Sequence, residues 1–87
     1  MKFETKAQLI AAIREDIIGE LDAINQYDAH LNATDDAVAR AVWTDIRDEE
    51  RVHVGELLTL LTYLEPSEVE TLSQGEREVK EIIEKLS

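Results

Sequence analysis

From residue 10 to residue 31 apolar side chains recur at alternating steps of three and four: Ile10, Ile13, Ile17, Ile24, Tyr27 and Leu31. That period lays them along one face of an α-helix. The series skips one member, because the position between Ile17 and Ile24 is Glu20. Arg14, Glu15, Asp22, Gln26 and Asp28 fall off the stripe, as an amphipathic helix requires. With Thr5 placed to cap it, the pattern predicts a helix over about 6–32. Asn32-Ala33-Thr34-Asp35-Asp36 breaks the period. Thr34 or Asp35 is expected to cap a second helix over about 36–64, whose stripe runs through Ala39, Val42 or Trp43, Ile46, Glu49 or Glu50, His53, Leu57, Leu60 or Leu61, and Leu64. So short a break makes the two helices an antiparallel hairpin. Glu65-Pro66-Ser67 is a second break, and Ser67 with Glu70 reads as a capping box. Val69, Leu72, Val79, Ile82, Ile83 and Leu86 predict a third helix over about 67–86, with Gly75 as a bend or end that could divide it in two. The expected fold is all-α, a two-helix hairpin plus a C-terminal helix, in one domain spanning 1–87.

Two stripe positions on the second helix are also polar. Glu50 and His53 stand three residues apart, on one face and about one turn from each other. A carboxylate and an imidazole inside an apolar stripe cost free energy unless something pairs with them. Glu20 lies fourteen residues before Thr34 and Glu50 sixteen after it. At a rise of about 1.5 Å per residue these arms are about 21 and 24 Å long, so the hairpin sets Glu20 opposite Glu50 and His53. Tyr27 and Trp43 fall at a common level nearer the turn and are expected to flank the polar layer with an aromatic one. His30 reads as a surface residue.

Composition narrows what the polar layer can be. The chain is 44% hydrophobic with three Gly and one Pro, enough for a small folded core. Twenty acidic against nine basic residues give a charge of -11, which argues against nucleic acid and anionic membrane surfaces and suits attraction of cations. No apolar run is long enough to span a bilayer and no signal segment is visible, so a cytoplasmic chain is expected. The absence of Cys excludes a disulfide framework, a thiolate zinc site and an Fe–S cluster. Carboxylates with imidazole suit iron or manganese, and zinc less specifically. One hairpin supplies three ligands, too few for a dinuclear centre, and leaves its stripe uncovered. A second copy packed seam to seam would close a four-helix bundle and double the set to four Glu and two His. That is the ligand pattern of di-iron carboxylate bundles.

On Glu20, on Glu50-x-x-His53 thirty residues later, on Tyr27 and on the acidic run Asp48-Glu49-Glu50, over residues 6–64, the chain resembles the encapsulated ferritins, a half-bundle branch of the ferritin-like superfamily. The resemblance implies a homodimer with a di-iron centre at its interface (two Fe per dimer), and assembly into a ring such as a decamer. It implies a ferroxidase, oxidising Fe(II) to Fe(III) for iron storage and detoxification inside an encapsulin nanocompartment. Glu20, Glu50 and His53 carry over as catalytic iron ligands, with Tyr27 as an outer neighbour and Trp43 beside it. Asp22, Glu49 and Glu56 are candidate secondary metal contacts, solvated acids being the alternative. There are two departures. The positions flanking the first Glu, often acidic in that family, are Gly19 and Asp22, and no Gly-Ser-Leu type docking tail is visible after Ser87. The rivals are a rubrerythrin-like peroxide reductase, disfavoured by the lack of Cys, and a non-enzymatic helical assembly module in which Glu20 and His53 fix register.

Overall fold

Thr5 starts the first helix by a reciprocal exchange. The Gln8 amide donates to Thr5 Oγ1 at 3.1 Å, and the Thr5 amide donates to Gln8 Oε1 at 3.2 Å. The computed structural model, which describes residues 2–87, then runs α1 (Lys6–Ala33), α2 (Ala37–Leu64) and α3 (Ser67–Leu86). No strand occurs among the described residues, and none of their helices is long and apolar enough to cross a membrane.

Three local expectations need correction. The α2 cap is Asp36 rather than Thr34 or Asp35. The helix begins at Ala37, which makes the Ala39 amide the third donor, and Asp36 Oδ1 accepts from it at 2.8 Å. Thr34 instead braces the turn, its Oγ1 accepting from the Asp36 amide at 3.2 Å. Arg40 reaches back across that turn to donate to the carbonyls of Leu31 and Thr34, closing the end of α1. At α3 the expected capping box of Ser67 and Glu70 does not form. Pro66 occupies the cap with φ -59°, Ser67 is already helical, and its hydroxyl donates to Glu65 Oε1 at 2.9 Å. Nor does Gly75 bend or end α3, which runs unbroken for 20 residues. A glycine inside a helix costs about 1 kcal/mol relative to alanine without breaking it. A Cβ at Gly75 would meet nothing within 4 Å. Gly75→Ala is therefore expected to stabilise α3 by about 0.5–1 kcal/mol, read as slower amide exchange over residues 76–86.

Ile10, Ile13 and Leu61 form the buried core where α1 and α2 lie side by side, with Leu9, Ile17, Leu57 and Leu64 packed on them. Leu31 is buried near the turn. Of the two neighbours at the end of the α2 stripe, Leu61 faces inward and Leu60 is exposed. This core is small, and the molecule measures 51 × 45 × 14 Å with a radius of gyration of 17.2 Å. A compact chain of this length would have a radius near 12 Å. The excess comes from α3, which leaves the hairpin at Pro66 and is tied to α1 through Arg14 and Glu68, 3.0 Å apart. Its Val69, Leu72, Val79, Ile82, Ile83 and Leu86 are all at least half exposed, as are Ile18, Val38 and Val52 on the hairpin. A helix hydrophobic on one side and uncovered there is the geometry of a part awaiting another layer.

Candidate metal centre

The α1 stripe turns Glu20, and the α2 stripe Glu50 and His53, into one groove. His53 Nδ1 stands 3.5 Å from Glu20 Oε1 and 3.6 Å from Glu50 Oε2. One donor atom from each of the three lies within 4.8 Å of the others. The Glu20 and Glu50 side chains are only 25% and 19% exposed, while His53 is 45% exposed at the rim. Metal bonds to such ligands are about 2.0–2.2 Å long, so donors around one ion sit about 3–4 Å apart. The two distances from His53 Nδ1 already fall in that range, and the whole set lies within 4.8 Å. Two carboxylates and one imidazole nitrogen, with no sulfur, form a hard-to-borderline donor set that fits iron or manganese. Two carboxylates, Glu20 and Glu50, share this groove, and like charges at close quarters repel.

The groove is open, and its floor includes Gly19, Ala23 and Leu57. Gly19 and Ala23 contribute little side-chain bulk to that lining. Glu15, Asp16 and Glu56 also line it. Of these, Glu56 was anticipated; Asp16 stands four residues before Glu20, a helical neighbour whose spacing could have marked it. Asp22 and Glu49 are exposed and belong neither to the three-residue cluster nor to the groove lining.

Nearer the turn, three rings stack. His30 lies between Tyr27, edge-on at 6.3 Å, and Trp43, tilted at 5.1 Å. His30 is exposed, yet it completes the aromatic layer expected of Tyr27 and Trp43 alone. Among the described residues Tyr27 makes no hydrogen bond to Glu20 or Glu50; its ring packs on the neighbouring turn of its own helix.

This arrangement has known counterparts. No protein-family profile matches the chain. The crystal structure of an encapsulated ferritin domain from Pyrococcus furiosus superposes with a TM-score of 0.88, at 42% identity, covering 93% of this chain and 83% of that one. The chain belongs to the encapsulated ferritins. Two curated relatives agree with that placement. One is a ferritin-like–encapsulin shell fusion protein of Pyrococcus furiosus, 42% identical over 78 residues, which are 90% of this chain and 23% of the relative. The other is an encapsulin nanocompartment cargo protein of Myxococcus xanthus, 42% identical over 64 residues, 74% of this chain and 49% of the relative. The chain thus spans about a quarter and about half the length of these proteins. Membership of the encapsulated ferritins is consistent with the all-helical fold of the chain as half of a four-helix bundle.

Proposed function

We propose that two copies of the hairpin pack seam to seam and pool Glu20, Glu50 and His53 from each into a ferroxidase centre. The observation that carries this reading is the approach of His53 Nδ1 to Glu20 Oε1 and Glu50 Oε2, at 3.5 and 3.6 Å, on an open groove. A lone chain presents half a coordination shell there; its symmetry mate supplies the other half. Fe(II) is the substrate. Two ions give one electron each to O2, which takes two protons and leaves as H2O2, while both irons become Fe(III). In this chemistry the carboxylates of Glu20 and Glu50 hold two cations close together and, being anionic, favour the higher charge of the product. His53 Nδ1 supplies a neutral donor at the rim. The acids Glu15, Asp16 and Glu56 add negative potential along the groove, which draws cations inward.

An iron-related, ferritin-like role is what the relatives' names support, and their association with encapsulin supports a location inside an encapsulin nanocompartment. The uncovered apolar side of α3 supplies surface for closing dimers into a larger ring. The 3.5 Å approach of His53 to Glu20 also suits an assembly module that uses the pair only to fix register, and one titration separates the two readings. Under anaerobic conditions, added Fe(II) is expected to convert monomers to dimers at two Fe per dimer, because binding to the paired state alone draws the equilibrium toward it. Admission of O2 should then produce Fe(III) absorbance faster than protein-free buffer does. A mass indifferent to Fe(II), with oxidation at the blank rate, would sink the proposal. Replacing O2 with H2O2 tests the peroxide-reductase alternative, which predicts the faster reaction with peroxide.

A further inference from the structure

On the turn side of the ligand cluster one ion pair crosses the hairpin. Arg47 Nη1 donates to Asp28 Oδ1 at 2.9 Å, and Nη2 lies 3.6 Å from Asp48 Oδ1. The hydrogen bond to Asp28 raises the guanidinium pKa, desolvation works against it, and the charges of Asp28 and Asp48 add to the rise. Arg47 Nε is buried without a partner. An unsatisfied buried donor costs stability that an apolar side chain of similar length would not. What the arginine adds is direction.

Direction is needed at this level of the hairpin. The apolar core of Ile10, Ile13 and Leu61 lies beyond the ligands, away from the turn, and apolar burial does not by itself select a sliding position. Arg40 secures the turn but not the arms beyond it. Between these two anchors Glu20 and Glu50, like charges in one groove, push α1 and α2 apart until a cation arrives. Arg47 stands three residues before Glu50 on α2, and Asp28 eight after Glu20 on α1. We propose that the Arg47–Asp28 pair is the register clamp of the metal site: it holds α1 at the height where Glu20 faces Glu50 and His53. Arg47 is thus a positioning residue that preorganises ligands it does not join. The inference rests on the metal-site reading above.

Co(II), which does not react with O2 at such a site, probes it without turnover. Arg47→Met and Asp28→Asn are each expected to weaken Co(II) binding about tenfold, the scale of lost support around metal ligands. The double variant should be no weaker than the worse single one, since both changes remove one contact. Arg47→Lys should regain part of the affinity, as its ammonium still offers Asp28 a point charge. Folded variants that bind Co(II) like the parent, or single losses that multiply in the double variant, would overturn the clamp. A parent that binds no Co(II) overturns the metal-site reading instead. Metal-free amide exchange over residues 20–28 then decides the clamp alone: faster exchange in Arg47→Met supports it and unchanged exchange refutes it.

Discussion

His53→Ala is expected to abolish Fe(II)-driven dimer formation and to lower Fe(II) oxidation to the protein-free rate. Symmetry makes the effect large, because one substitution removes two ligands from a shared centre. Loss of a group that merely supports a ligand costs about 10–100-fold in affinity, so loss of a ligand from each side should weaken metal binding by more than about 100-fold. The fold should survive, since the His53 side chain is 45% exposed and makes no part of the apolar core. Glu50→Ala is expected to give the same loss of oxidation with a different side effect. Removing that carboxylate relieves repulsion with Glu20, and the metal-free dimer should become more populated, not less. Glu49→Ala is the control. It removes the same charge one residue away, from a side chain outside the groove. Sedimentation and the rise of Fe(III) absorbance read all three. Equal losses in Glu49→Ala and Glu50→Ala would mean that bulk negative charge, rather than coordination, controls the reaction.

Ile13→Ala is expected to be the most damaging change to stability. Ile13 is the most buried side chain of the three in the core, at 3% exposure. Truncating a buried isoleucine to alanine costs about 2–5 kcal/mol, the lost transfer energy plus the cavity left behind. A chain of this size has about 4–13 kcal/mol of stability in total. The cost is therefore a large share of what exists, and few neighbours can collapse into the gap. Urea unfolding of the metal-free chain should show a much lower midpoint. Ile18→Ala, on an exposed position of the same helix, should shift the midpoint little. Saturating Fe(II) should restore part of the loss in Ile13→Ala if the dimer binds metal as proposed.

The three helices were legible because apolar residues at steps of three and four have few other interpretations. The meeting of Glu20, Glu50 and His53 was legible for the opposite reason: Glu20 and His53 break a stripe that would be cheaper unbroken. What the pattern could not choose was among near-equals. Thr34, Asp35 and Asp36 are all good caps, and only the observed start at Ala37 selects the side chain that reaches Ala39. Gly75 carries no signal that separates a helix end from a tolerated interior glycine, as the energies differ by about 1 kcal/mol. The Arg47–Asp28 pair was hidden because a long side chain bridges residues 19 apart in the chain, off both stripes. His30 is exposed, as expected of a surface residue, but its contacts with Tyr27 and Trp43 became visible only once both rings were placed.

Arg14 and Glu68 meet at the surface, with more than half of the arginine in water. Such pairs are worth little and are screened over about 10 Å at 0.1 M salt and about 3 Å at 1 M. Rising ionic strength therefore loosens this tie between α3 and α1.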